Sequence, residues 1–265
     1  MDIKSVAAAA ETLIRETGEF VKNERKSWQI ADVKRKIDTS LVTAVDVASE
    51  QRLVAGLKKI LPGSDVLAEE QHNTRPDNEL LWIIDPIDGT TNFVHNLPLF
   101  CISVALMSKG KIIFGIVYEI NNSECFRAHE GEEGAFLNGK RIYVSEAPKL
   151  KECLLATGFP SNGFDILEEY INIMRAFMQN TQGMRRLGTA ALDLAYVACG
   201  RCDGFFEYRL KPWDVAAGAY IVIKAGGAVT TFSGGDDYIF GGEMLATNGV
   251  VHKETIEFME KHKGK

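Results

Sequence analysis

Trp82-Ile83-Ile84-Asp85-Pro86-Ile87-Asp88-Gly89-Thr90-Thr91-Asn92-Phe93 holds the densest chemistry in the chain. With Leu80 and Leu81 in front, it begins as a continuous apolar run, the pattern of a strand buried on both faces. Pro86 removes a ladder donor and is expected to end that strand, after which Asp88-Gly89 turns the chain. Two acids three residues apart at the C-terminal end of a strand can point into one crevice, where open α/β sheets place their ligands. A short helical turn near Thr91–His95 follows, and its leading N–H groups suit an anion. Carboxylates next to an anion cradle conflict, since two like charges about 4 Å apart cost ~4 kcal/mol at an effective dielectric near 20. A hard cation such as Mg²⁺, bound by oxygen and by substrate phosphate, resolves the conflict. Taken alone, Asp-Pro and Asp-Gly would also serve a plain structural turn. An EF-hand loop is rejected because the alternate positions are Ile87 and Gly89. An aspartyl nucleophile would want its two acids separated by one residue, so the spacing argues for water as nucleophile.

Further acids stand at element ends. Ala68-Glu69-Glu70 closes a short strand over Val66–Ala68. Leu41-Val42-Thr43-Ala44-Val45-Asp46 puts an acid in the first turn of a helix that begins near Thr43 and runs through Leu53, Leu57 and Leu61 to Pro62-Gly63. Trp213-Asp214 opens another helix behind Pro212, with Ala216, Ala217 and Gly218 allowing close packing. Singly, each acid is as readily a cap or a solvated charge; jointly, the pattern is specific. Elsewhere, a helix is expected over 3–24 and strands at Cys101–Ser108, Ile112–Glu119 and Glu124–Ala128, then a strand and tight turn over Gly134–Gly139. In the second half, strands near Leu154–Thr157, Met184–Leu187, 204–207, 228–231 and 244–247 alternate with helices over 165–180, 190–199, 214–225 and 252–262. This alternation implies layered α/β architecture. With 265 residues, 46% of them hydrophobic, and no repeat or linker, residues 1–265 are expected to form a single compact unit with halves of about 1–140 and 141–265.

The quoted segments resemble inositol monophosphatase and its relatives, the magnesium-dependent, lithium-sensitive sugar phosphatases. The matching pieces fall in order over residues 41–227: Leu41–Asp46, Ala68–Glu70, Trp82–Phe93, Gly188-Thr189-Ala190-Ala191 and Trp213–Gly218. The resemblance implies a layered αβαβα sandwich of the inositol monophosphatase and fructose-1,6-bisphosphatase type. It implies two or three Mg²⁺ ions: one held by Glu70, Asp85 and the Ile87 carbonyl, a second between Asp85, Asp88 and Asp214, and a weaker third near Glu70. Thr90, paired with Asp46, would orient the attacking water, with Glu70 completing the catalytic set. The amides of Gly89 and Thr90 would hold phosphate oxygens beside Asp88. Gly188, Thr189, Ala190 and Glu207 match the positions that meet substrate hydroxyls. Family members carry a lysine in the segment before Leu41; here Lys34, Arg35 and Lys36 compete for that role, in a basic stretch from Asp32 to Ser40 that reads as an exposed loop or hairpin.

The expected activity is therefore hydrolysis of inositol monophosphate or a related small polyol phosphate by a metal-activated water. Fructose-1,6-bisphosphatase, histidinol-phosphate phosphatase and 3′-phosphoadenosine-5′-phosphate phosphatase are the alternatives, and a non-catalytic regulatory scaffold is the rival from another class. The family also implies a homodimer. With 36 Asp+Glu against 30 Lys+Arg, net −6, no nucleic-acid partner is expected, because phosphate neutralisation needs clustered cations. No apolar run reaches the roughly 18–20 residues of a membrane span. The first residues lack a secretory pattern and the five cysteines form no framework, so a cytoplasmic location with reduced thiols is expected. His95 and His129 read as surface or structural, Cys199–Cys202 as a chance spacing, Asp236-Asp237 as solvated and Gly226-Gly227 as a helix C-cap. Met184-Arg185-Arg186 suits a substrate contact, a partner contact or a polar rim.

Overall fold

Side-chain alternation along the strands sorts the core into layers. The computed structural model describes residues 2–27, 34–35, 41–159 and 166–264. The first half contains α1 (Ile3–Ser27), β1 (Lys34–Arg35), β2 (Leu41–Val42), α2 (Ala44–Ile60), β3 (Asp65–Ala68), β4 (Leu80–Asp88), α3 (Thr90–Val94), β5 (Cys101–Ser108), β6 (Lys111–Glu119), β7 (Glu124–His129), β8 (Ala135–Leu137) and β9 (Lys140–Ile142). The second half contains β10 (Leu154–Thr157), α4 (Leu167–Asn180), β11 (Gly183–Arg185), α5 (Ala190–Ala198), β12 (Gly204–Tyr208), α6 (Pro212–Lys224), β13 (Ala228–Thr230), β14 (Glu243–Thr247) and α7 (His252–His262).

A seven-stranded sheet runs β3-β4-β5-β6-β7-β8-β9 and a five-stranded sheet runs β11-β10-β12-β14-β13. In the first, β3 and β4 are parallel and all the other neighbouring strands are antiparallel. In the second, β10 has parallel neighbours on both sides. On β4, Trp82 and Ile84 pack with Val45, Leu53 and Leu57 of α2 and with Ala10 and Ile14 of α1. Leu81 and Ile83, on the opposite face, pack with α5 and α6, whose far side meets Phe205 and Ala246 of the second sheet. Phe206 and Leu245 turn the other way, onto Tyr170 and Phe177 of α4 and Met259 of α7. The order is α1/α2, sheet, α5/α6, sheet, α4/α7: the expected αβαβα sandwich. Because α5 and α6 serve both sheets, we propose that the two halves fold as one unit.

Close packing in the central layer explains the small residues of α6. A Cβ on Gly115 of β6 would stand 2.8 Å from the Ala217 carbonyl oxygen, and one on Gly218 would stand 2.6 Å from Leu194 Cβ of α5. The expected turn before β9 is an Asn138-Gly139 pair with both φ values positive, as a two-residue hairpin requires. Gly226, at φ 97°, follows α6, and Gly227 N–H donates to the Val222 carbonyl, which is the expected C-cap.

One expectation about β4 needs correction. Pro86 does not end the ladder: Asp85 pairs with Ser103 and Asp88 with Cys101, so the strand continues through a bulge. The β3 partner is used up at Ile84, and the bulge leaves Pro86 where no N–H is needed. The Asp32–Ser40 segment, with Lys36 and Ser40, lies outside the described residues, except that Lys34–Arg35 pairs antiparallel with Leu41–Val42. The start of the helix expected over 165–180 likewise falls partly outside them; α4 is described from Leu167.

Candidate active site

The bulge explains how acids three residues apart share a face. In a regular strand, residues 85 and 88 would point oppositely. Here three steps along β4 match two along β5, from Ser103 to Cys101, so Asp85 and Asp88 both project toward α5 and α6. The same alternation corrects the neighbouring acid. Leu67 shares the α5/α6 face and Ala68 the α1/α2 face, and Ala68 pairs in parallel with Ile84. The next step places Glu69, not Glu70, beside Asp85. In agreement, the Glu69 charge acts on Asp46, Asp85, Asp88 and Asp214, whereas the Glu70 backbone is bonded back to Glu50 of α2.

Each remaining acid is anchored by its own element. Thr43 caps α2, and Asp46 completes a capping box by accepting from the Thr43 N–H at 2.8 Å and from its hydroxyl. The other Asp46 oxygen accepts from Thr90 Oγ1 at 3.1 Å, and that hydroxyl stands equally 3.1 Å from the Ile87 carbonyl. The expected Thr90–Asp46 pairing is therefore present. Asp85 accepts from the Ile87 N–H at 3.0 Å. Asp88 is held at the start of α5, by Thr189 Oγ1 at 2.6 Å and the Ala191 N–H at 2.8 Å. Asp214 accepts from the Lys211 N–H at 2.6 Å, and Ser103 of β5 donates to the Trp213 carbonyl. Gly89 has φ 95°, and a Cβ there would stand 3.0 Å from the Leu99 carbonyl oxygen; the first-turn amides of α3 behind it have no acceptor within the helix.

These carboxylates destabilise one another. Asp85 is sealed, while Asp88 and Asp214 are open to the crevice and walled by protein on their other sides. Burial pushes Asp46 and Asp88 up to about 6 and lifts Asp85 and Asp214 well above the carboxylate range, with the charges of Glu69 and Asp88 adding to both. Among the described residues, no three His, Cys, Asp or Glu side chains close into a ready-made metal cage. Mg²⁺ is compatible with that, because it keeps several waters and binds through one or two carboxylates plus substrate phosphate. The donor set fits: hard oxygens, uncompensated negative charge, and the backbone carbonyl of Ile87 beside the Thr90 hydroxyl.

On the second sheet, Glu207 faces the crevice from β12, and its charge acts on Asp214. Its carboxylate lies directly on the Gly158 backbone, where any Cβ would collide with it. Gly188 (φ 90°) has Arg186 against it, and Ala190 is buried. Thr189 does not offer its hydroxyl to the crevice; that group is committed to Asp88 and to capping α5. Sequence reasoning missed Asp193, which is 1% exposed with Oδ1 lacking a partner among the described residues. Burial and the charge of Glu207 hold it well above the usual carboxylate range. An acid inside the apolar run Ala190–Ala198 was the available signal. Arg186 was left among several roles; its charge favours the ionised forms of Asp88, Asp193 and Glu207.

Glu207 gives a pH prediction. Burial pushes its carboxyl from 4.5 up to about 8, against the opposing charge of Arg186. A group that holds its proton more tightly folded than unfolded subtracts stability as pH climbs from the unfolded to the folded value. Above about 6, where Asp46 and Asp88 have titrated, Glu207→Gln is expected to flatten the decline in melting temperature of the metal-free protein up to pH about 8. Thermal melts in chelator across that range check it.

The distractors stay outside the crevice chemistry. His129 is buried, with Nδ1 on the Glu130 carbonyl at 2.7 Å, and His95 forms the exposed C-cap of α3. Cys199 and Cys202 are free thiols, both raised by burial, Cys202 to about 12, which disfavours the reactive thiolate. Asp236 and Asp237 are exposed.

Known proteins match the chain in sequence and fold over nearly its whole length. The inositol monophosphatase family profile matches residues 2–263. Nus factor SuhB of Pseudomonas aeruginosa is 40% identical over 253 residues, covering 94% of this chain and 93% of the relative. The crystal structure of the extragenic suppressor protein suhB from Bartonella henselae superposes with a TM-score of 0.89 at 37% identity, covering 97% of this chain and 98% of that one. Inositol monophosphatase from Anabaena superposes with a TM-score of 0.86 at 35% identity, covering 99% and 98%. Matched in sequence and in fold almost end to end, the chain belongs to the inositol monophosphatase family, a family of phosphatases.

Proposed function

We propose that this protein is a Mg²⁺-dependent phosphomonoesterase that hydrolyses a small polyol or sugar phosphate, inositol monophosphate first. The observation that carries the reading is the crevice in which burial and the charge of Glu69 together raise the proton affinity of Asp85, Asp88 and Asp214. Glu69, Asp85 and the Ile87 carbonyl would hold one ion, Asp85, Asp88 and Asp214 a second, with a weaker third near Glu69. Bound Mg²⁺ supplies a water of lowered pKa and a Lewis acid for the leaving oxygen. When the Thr90 proton points to Asp46, Oγ1 turns its lone pairs outward, where it can accept from that water and hold it for attack. The Gly89 and Thr90 amides would receive phosphate oxygens. The backbone of Gly188, Thr189 and Ala190, together with Glu207, would meet the substrate hydroxyls. Homodimerisation, implied by the family, is part of the same proposal and is read by light scattering.

The deciding assay sets inositol monophosphate beside fructose 1,6-bisphosphate, histidinol phosphate and 3′-phosphoadenosine 5′-phosphate, with Mg²⁺ and then with chelator. Turnover of inositol monophosphate that chelator abolishes and Mg²⁺ restores is expected, as is inhibition by Li⁺. Hydrolysis of none of the four would overturn the reading. The seat of Glu207 gives a sharper check. Gly158→Ala is expected to evict the carboxylate and raise KM for inositol monophosphate by about tenfold, near the ~1.5 kcal/mol of a hydrogen bond to a charged group. p-Nitrophenyl phosphate, which has no ring hydroxyls, should be turned over as by the parent.

A second reading is favoured by the name Nus factor carried by the Pseudomonas aeruginosa relative. It points to association with RNA polymerase or nucleic acid, so the expectation of no nucleic-acid partner is not carried forward. A net charge of −6 favours a protein partner over direct contact with phosphates. Co-purification with RNA polymerase, before and after nuclease, tests it. Among the described residues, no helix is long and apolar enough to cross a membrane.

A further inference from the structure

Glu50 has no place in the chemistry outlined above, yet its side chain is fully buried. A buried carboxylate is tolerated only when its oxygens are satisfied, and here they serve one short turn. Oε2 accepts from the Glu70 N–H at 2.7 Å, and Oε1 accepts from the Gln71 N–H at 2.9 Å and from His72 Nδ1 at 2.8 Å. The Ala68 N–H donates to the His72 carbonyl at 2.9 Å, closing the turn on itself. Consecutive residues 70, 71 and 72 are thus strapped to α2, directly after the acid that acts on Asp85 and Asp214. Only a carboxylate suits the seat, because it offers acceptors on both oxygens, whereas an amide would set its own N–H₂ against a donor. Asp46 lies one turn earlier on the same helix, so α2 fixes Thr90 through one acid and the Glu69 turn through the other.

We propose that Glu50 is a positioning residue for the divalent-cation site, setting where Glu69 meets the ion; this rests on the metal-dependent reading of the crevice. Glu50→Gln is expected to raise the Mg²⁺ half-saturation of the phosphatase about tenfold, while turnover at saturating Mg²⁺ falls less than threefold. Calorimetric titration with Mn²⁺ alone, without substrate, should show the same tenfold weakening. Amide hydrogen exchange should show faster exchange at residues 70–72 than in the parent. His72→Ala, which removes one donor and leaves the buried carboxylate on its two backbone partners, is expected to weaken Mn²⁺ binding two- to threefold, and it decides the question if the Glu50 variant does not fold. Parent-like Mn²⁺ affinity in folded Glu50→Gln, or in His72→Ala where that is the deciding variant, overturns the proposal. If the parent itself binds no Mn²⁺, the metal-dependent reading fails, a result distinct from failure of the strap.

Discussion

Asp88→Asn, and separately Asp214→Asn, is expected to lower turnover by roughly 10³-fold, ~4 kcal/mol of barrier, with circular dichroism unchanged. The size follows from what each side chain does. Asp88 receives Thr189 and the Ala191 N–H on one oxygen and turns the other to the crevice. Asp214 is the acid that α6 contributes, pinned by Lys211 N–H. An amide keeps the shape of either group and removes the charge that would bind a cation and set off the phosphate. Near-parental turnover in either variant would remove the metal-dependent assignment altogether.

Trp82→Ala is expected to destabilise the protein by about 4 kcal/mol, the range for deleting a buried aromatic side chain. At this chain length that corresponds to a fall in melting temperature of roughly 10 °C. Trp82 is 0% exposed, lies edge-on to Phe114 at 6.0 Å and donates its indole N–H to Ser64 Oγ at 3.1 Å. Trp82→Phe keeps most of the packing and loses the hydrogen bond, so about 1 kcal/mol is expected. Chemical denaturation of the two variants separates the contributions; equal losses would mean that the hydrogen bond, not the ring, dominates.

The layered fold was readable from the sequence because its strands are short, apolar and bounded by turn residues: Cys101–Ser108 and Leu154–Thr157 coincide with the observed strands. Most of the crevice was readable too, since Asp46, Asp85, Asp88 and Asp214 sit at element ends where spacing is informative. Two points were not. Glu69 and Glu70 are chemically identical neighbours, and only the register of β3 against β4 decides which one faces inward. Pro86 looked like a terminator because the rule against proline in strands holds for regular ladders, and a bulge exempts it. Asp193 and Glu50 were overlooked because each lies within a helix, away from any motif, and only burial makes it conspicuous.

The mutual repulsion in the crevice has an evolutionary edge. In chelator, the acids that the proposed catalysis needs are a handicap to the native state, so deleting one charge should make the protein melt higher than its parent. A library sorted for heat resistance without divalent ions would therefore enrich broken enzymes, and the ranking should invert once Mg²⁺ is present during selection.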